Sequence, residues 1–354
     1  MISETHNYPA PFGEITLVRL VNDHGAAITL SSLGAGIIAV EVPDRLGKIS
    51  NIALSYENPA DYMADPPTMG KTAGRYANRI VEGALNVDGK DYKLDCNCGP
   101  HHLHGGPTGF QNQLWQTELL PNGVRFSLIS PDLHENYPGT IRATVEYRWN
   151  NLNELSISFE ATSDAPTVIN LTNHTYWNLD GADSGNALHH QLKLKASRWL
   201  PTDDTLAPTG ELESVIGTPM DFLDFHTVGE RIREDFPALK FGKGYDNCWA
   251  IDGATEAALE GRKEMIEDAA VLKSDVSGRV LHVDTDQPGV QVYSGNWLDG
   301  SPKNTGGRSY NDYDGIAIEA QGFPDAPNIP SFPSQRLDPQ HPYSRTIIYR
   351  FTTE

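Results

Sequence analysis

The chain reads as an all-β protein of the sandwich or barrel type, and three observations predict it. Apolar and polar residues alternate with a period of two along many short stretches, as half-buried strands require. Turn-forming residues are abundant, with 32 Gly and 24 Pro among 354 residues, which suits short elements joined by tight turns. Helical signals are few. Regularly spaced short strands with turns between them point to sheets packed face to face or closed on themselves.

The strands follow in order. "ITLVRLV", "AAITLSSLG" and "IIAVEVP" open the series. "LNVDGKDYKL" places Asp88-Gly89 between two short strands, a strong type I′ hairpin signal. "VRFSLIS" comes next. In "IRATVEYRW" Ile141, Ala143, Val145, Tyr147 and Trp149 alternate with Arg142, Thr144, Glu146 and Arg148. In "LSISFEAT" Leu155, Ile157, Phe159 and Ala161 alternate with Ser156, Ser158, Glu160 and Thr162, and "NNLN" joins the two as a hairpin loop. "NLTNHTYWNL", residues 170–179, reads as an unusually polar strand, with three asparagines that strands normally avoid. "LKLKASRWL", "RVLHVDT", "VQVYSG", "GIAIEAQ" and "RTIIYRFTT" complete the set. "HTVGERIREDFPAL" supports one short helical turn. Residues 254–270, "ATEAALEGRKEMIEDAA", have good helix formers without an apolar stripe. They are expected to form an acidic, exposed insertion or a short solvated helix. No Gly/Ser linker and no repeat of 20–50 residues interrupts the chain, so residues 1–354 are read as a single domain.

Composition bounds the function. The formal charge is −20, from 47 acidic and 27 basic residues, with no basic run; a polyanion such as nucleic acid would be repelled. No stretch approaches the ~20 apolar residues of a membrane helix. The first residues lack the charged and apolar regions of a signal peptide. Three cysteines, Cys96, Cys98 and Cys248, form an odd, sparse set that fits reduced thiols in a cytoplasm.

Polar groups gather in a few places. Along 168–176, Asn170, Thr172, His174 and Tyr176 share one face by alternation. In "GIAIEAQGFPDAPN", Ile316, Ile318 and Ala320 form an apolar face while Glu319 and Gln321 point the other way. Alternation leaves open whether Glu319 faces solvent or lines a cleft, where desolvation would raise its pKa. In "HHLHGG" an extended chain would put His102 and His104 on one side, a possible metal pair. The next Glu is only Glu118, so metal binding is disfavoured and the paired glycines suggest close backbone packing beside a pocket. "GRYANRIVEG" offers Asn78 and Arg79, "GKGYDNCW" offers Asp246 in a Gly-rich loop, and "PGVQVYSGNWLDG" offers Gln291 on a strand. No serine elbow, phosphate-cradling loop or CxxC pair is present. Such hydrogen-bonding groups suit a polyhydroxylated ligand such as a sugar, with Tyr176, Trp177 or Phe323 as an apolar platform for its ring.

These pieces together resemble the aldose 1-epimerase, or galactose mutarotase, family. "GRYANRI", "LHGG", "NLTNHTYWNL", "LPTDDTLAPTG" with "GTPMDF", "GYDN", "GVQVYSGNWLDG" and "IEAQGFPDAPN" occur in family order, from about residue 34 to the C-terminus. The resemblance implies an antiparallel β-supersandwich with the sugar in an open cleft. It implies interconversion of the α and β anomers of free aldohexoses, without metal or organic cofactor. It carries over Glu319 as catalytic base, His174 as catalytic acid and His104 as a second active-site histidine. Asn78, Arg79, Asp246 and Gln291 would hold sugar hydroxyls. The partner is then a free monosaccharide, with neither nucleic acid nor membrane, and the protein a monomer or loose homodimer. Rival readings are a non-catalytic sugar-binding module, a two-carboxylate glycoside hydrolase with Asp246 opposite Glu319, and a mutarotase for sugar phosphates, which would want more cations than Arg79.

Overall fold

The computed structural model describes residues 1–354. Three antiparallel sheets dominate it. The nine-stranded sheet runs, in spatial order, Gln116–Leu120, Gly123–Ser130, Ile141–Trp149, Glu154–Ser163, Tyr343–Thr353, Arg279–Thr285, Ile266–Lys273, Gln191–Leu194 and His226–Thr227. The six-stranded sheet runs Tyr176–Trp177, Ile316–Gln321, Gly289–Tyr293, Asp246–Ala250, Arg198–Leu200 and Glu213–Ser214. A five-stranded meander, Ile2–Ala10 to Ile49–Asn51, makes the third.

Alternation sets which face each sheet buries. Ile141, Ala143, Val145, Tyr147 and Trp149 all enter the largest core cluster, as do Leu155, Ile157, Phe159 and Ala161 from the paired strand. A one-residue slip would drive Arg142, Glu146 and Arg148 inward, so burial pins the register. Val290, Val292, Ile316, Ile318 and Ala320 bring the inner face of the six-stranded sheet to the same core. The meander adds Val18, Leu20, Ile28, Leu30, Ile37 and Val40. The Asp88-Gly89 hairpin forms as expected, both residues having positive φ (53° and 78°) between Ala84–Val87 and Lys90–Lys93. Only two short α-helices occur, Pro237–Phe241 and Ala254–Leu259. No helix is long and apolar enough to cross a membrane.

Three expectations need correction. Residues 168–177 are not one strand. Thr167–Val168, Thr172–Asn173 and Tyr176–Trp177 pair with three different partners, Arg336–Leu337, Thr72–Ala73 and Ile316–Ala317. The segment is a buried junction rather than a ladder, and Asn170, Thr172, Asn173 and Asn178 are wholly buried. Second, 254–270 is no exposed insertion throughout. Its helix buries Ala254, Thr255 and Ala257, and from Ile266 onward it is a strand of the nine-stranded sheet. Third, an additional strand, Ile2–Ala10, precedes those read from alternation. It is an almost fully exposed edge strand containing Pro9, so neither face carries an apolar signal.

Candidate active site

One face of the six-stranded sheet is the floor of a cleft. Residues directly opposite each other on neighbouring strands share a face. Gln291 lies opposite Glu319 on one side and Cys248 on the other, while Asp246 lies opposite Tyr293. The alternation that sends Ile318 and Val292 into the core therefore sends Glu319, Gln291, Tyr293 and Asp246 to the opposite side. Tyr176 joins them from the edge strand. Two loops form two walls of the cleft. One carries Asn78 and Arg79; the other carries Leu103 and His104, and the two meet in a short ladder. A left-handed turn is needed there: Gly105 has φ +80°, and a Cβ on it would lie 2.1 Å from the Gly74 carbonyl oxygen.

The resulting cavity is about 370 Å³, within the range of small-molecule sites. Asn78, Arg79, His104, His174, Asp246, Gln291 and Glu319 all line it, so the structure brings all seven sequence-derived residues together. Tyr293, Trp297, Leu206, Leu103, Cys98, Pro66 and Pro67 line it too. Tyr293 is two residues beyond Gln291 on the same strand face, so the alternation rule reaches it; Trp297, half exposed on the following turn, has no such signal. Its ring lies nearly parallel to that of Tyr293, with centroids 6.5 Å apart. Of the three aromatic residues expected as a platform, only Tyr176 lines the cavity. Trp177 packs in the core against Tyr349 and Phe351, and Phe323 packs against Phe332.

At the centre, His174 Nε2 stands 3.4 Å from Glu319 Oε1. Both side chains are almost wholly buried, at 6% and 2% exposure. Desolvation penalises charge. Burial, aided by the nearby Asp246 carboxylate and opposed by Arg79, holds Glu319 well above the usual carboxylate range. Burial pushes His174 down to about 4. In the sugar-free protein the pair thus favours a neutral carboxyl and a neutral imidazole, which together hold the same number of protons as a carboxylate and an imidazolium. Glu319 Oε2 and His174 Nδ1 have no hydrogen-bond partner, nor does Gln291 Oε1. Buried polar atoms usually find partners, and these three can pair with the hydroxyls of a ligand in the cavity.

The flanking groups are oriented by one another. Gln291 Nε2 donates to Asp246 Oδ1 at 2.7 Å, and Arg79 Nη2 lies 3.7 Å from Asp246 Oδ2. The Asn78 amide donates to His104 Nδ1 at 3.1 Å, which leaves the ring proton on Nε2. Burial first, then the neighbouring His174 and Arg79, holds His104 well below its ordinary value, which favours its neutral form. His104 and His174 rings meet edge to face at 5.2 Å.

The His102/His104 pair is split. His104 has φ 52°, which breaks the extended alternation. His102 is buried against Tyr137, with Nδ1 2.7 Å from the Asp95 carbonyl oxygen. Asp180, His189 and His190 place potential ligand atoms within 4.8 Å of one another. There the Leu179 amide donates to His190 Nε2 at 2.8 Å, which keeps the proton on Nδ1 and denies that atom to a cation.

The model of the aldose 1-epimerase family matches residues 16–350. The chain belongs to the aldose 1-epimerase family. Galactose mutarotase of Homo sapiens is 40% identical over 344 residues, covering 97% of this chain and 96% of the relative. Aldose 1-epimerase of Escherichia coli K12 is 35% identical over 358 residues, covering 100% of both chains. The solved structure of an aldose epimerase homologue from C. elegans superimposes with TM-score 0.85 at 32% identity, covering 95% of this chain and 98% of that one. The antiparallel sheets described above are therefore the mutarotase-like fold, and this member of the aldose 1-epimerase family is a carbohydrate epimerase.

Proposed function

We propose that the protein interconverts the α and β anomers of free aldohexoses such as galactose and glucose, with Glu319 and His174 as the proton-transfer pair. The observation that carries this reading is the buried His174–Glu319 contact with an unpartnered atom on each side chain. Glu319 takes the proton from the anomeric hydroxyl while protonated His174 gives one to the ring oxygen. The bond from the anomeric carbon to the ring oxygen breaks, and the anomeric carbon becomes an aldehyde. Rotation about the bond to the next carbon presents its other face. The ring oxygen attacks, returning its proton to His174, and Glu319 returns the other to the new anomeric oxygen. Protons balance over the cycle, and no oxidant or metal is involved. Sugar hydroxyls that donate to Glu319 supply the hydrogen bonds that favour its charged form. His104 would donate to an oxygen at the reacting end; Asn78, Arg79, Asp246 and Gln291 would hold the remaining hydroxyls. We also take residues 1–354 to act as one domain, as a cytoplasmic monomer or loose homodimer, apart from nucleic acid and membrane.

The experiment is polarimetry on freshly dissolved α-galactose, repeated with glucose, xylose and arabinose. The purified protein should speed the approach to anomeric equilibrium for at least one. Unaltered rates across the panel would sink the proposal.

A further inference from the structure

Next to the cleft is a feature that the proton-transfer reading leaves unused. Residues 65–71, "DPPTMGK", form a tight strap closed by an ion pair between Asp65 and Lys71, both side chains wholly buried. The Lys71 ammonium also donates to the Tyr62 carbonyl oxygen and, at 3.1 Å, to Asn112 Oδ1. The Asp65 carboxylate accepts from the Met69 amide at 2.8 Å and the Tyr56 hydroxyl at 3.2 Å. Every charge on the pair is thus met inside the protein. Buried pairs of this kind contribute little stability relative to apolar residues of similar volume.

What the strap does contribute is placement. Pro66 and Pro67 line the sugar cavity. The Pro67 carbonyl oxygen accepts from the Tyr176 hydroxyl at 3.0 Å. The His174 amide donates to the Lys71 carbonyl oxygen at 2.9 Å, and the Gly70 amide donates to the His174 carbonyl oxygen at 2.9 Å. The backbone of His174 is therefore gripped on both sides by the last two residues of the strap. The grip depends on Gly70, whose φ is +69° and where a Cβ would lie 2.0 Å from the Ile37 carbonyl oxygen.

We propose that the buried Asp65–Lys71 pair is a positioning device for the anomerisation, locking the strap that forms one wall of the sugar cleft and that aims His174 at Glu319. This rests on the proton-transfer reading above. Misplacing a reacting group by about 1 Å costs on the order of 10²-fold in rate, so a loosened strap should be visible in turnover while the sheets stay folded. Lys71 also acts at a distance. Its charge is among the causes that depress His174 and His104. The other titratable or charged groups around the two rings are Glu319, Tyr176, Tyr293 and, beside His104, Arg79 and His102.

The test is the paired replacement Asp65→Leu with Lys71→Met, which removes both charges together and so leaves neither unpaired. Thermal melting checks the fold, and polarimetry on galactose measures kcat, KM and the pH profile. The expected result is a folded protein whose kcat falls roughly 10- to 100-fold. KM should rise, and the acid limb of the profile should move to higher pH, because the Lys71 charge that helps depress His174 is gone. Asp65→Asn with Lys71→Met, which also leaves no charge unpaired and keeps a side-chain acceptor for the Met69 amide and the Tyr56 hydroxyl, should show a kcat loss in the same direction and serves if the first double variant does not fold. A folded variant that keeps wild-type kcat, KM and acid limb overturns the inference alone. A wild-type protein that does not accelerate mutarotation overturns it together with the proposed function.

Discussion

Two sets of polar side chains lie side by side in this protein. Both are buried, and they differ in whether their hydrogen bonds are met. Asn170, Thr172 and Asn173 form the lower set. Asn170 donates to the carbonyl oxygens of Ala77 and Gly322 and accepts from the Gly322 amide. Thr172 donates to the Ala320 carbonyl oxygen, and Asn173 donates to that of Gly70. The upper set, His174, Glu319 and Gln291, keeps atoms without partners. The first set joins pieces of backbone from distant parts of the chain; the second lines the cavity. In these two sets the accounting differs with the role: the satisfied groups tie the backbone together, and the groups with unpartnered atoms line the cavity.

His174→Asn should lower the polarimetric rate at least ~100-fold, the scale of positioned proton transfer, with little change in melting temperature. A melting temperature that drops sharply while the rate holds would reverse the assignment of His174 to the upper set. Arg79→Ala should act mainly through binding. Hydrogen bonds to charged groups are worth about 1.5–3 kcal/mol, so KM for galactose should rise roughly tenfold or more while kcat changes less. Asn170→Ala should do the opposite. It strands the carbonyl oxygens and the amide that Asn170 serves, and each orphaned buried group costs about 1–3 kcal/mol. Urea unfolding should show that loss, while the rate of the folded fraction stays near wild type. A stable Asn170→Ala protein with a crippled rate would erase the distinction between the sets.

The smallest effect is in the pH profile. The proposed reaction needs one proton shared between Glu319 and His174. Activity is lost at low pH when both are protonated and no base remains, and at high pH when the shared proton is gone and no acid remains. Burial lowers His174 to about 4 and raises Glu319. The acid limb should therefore fall well below the ordinary histidine value, and the basic limb above the ordinary carboxylate value. Both limbs belong to the coupled pair. Rate measurements that show an acid limb near 6.5 would contradict the burial argument.

Much of this was legible in the sequence because alternation survives wherever a strand has one buried face. Ile141–Trp149 and its partner are read directly, and so is the Asp88-Gly89 hairpin. The polar face of 168–176 was legible only as a composition. Its residues make contacts with Ala77, Gly322 and Ala320, distant in sequence, so no local period describes them. Arg75 and Arg79 show the same limit within one motif. Arg75 is wholly buried and donates to the Ser130, Pro131, Pro138 and Gly139 carbonyl oxygens, whereas Arg79 lines the cavity. Spacing alone does not separate a guanidinium that ties loops from one that faces a ligand. Trp177 went to the core for a related reason: its neighbour Tyr176 lines the cavity, but alternation turns Trp177 away; Phe323, just past the end of its strand, packs instead in a small cluster with Phe332. The Asp65–Lys71 strap carried no signal, since a buried ion pair between residues six apart looks like ordinary surface charge until the fold covers it.

The most direct test of the central claim is the rate of Glu319→Gln on freshly dissolved α-galactose, compared with wild type at saturating sugar. The substitution keeps the volume of the side chain and removes its capacity to take a proton. A folded protein with at least ~100-fold slower turnover is the predicted result. A folded Glu319→Gln protein that turns over near the wild-type rate would contradict the assignment of proton transfer to this pair.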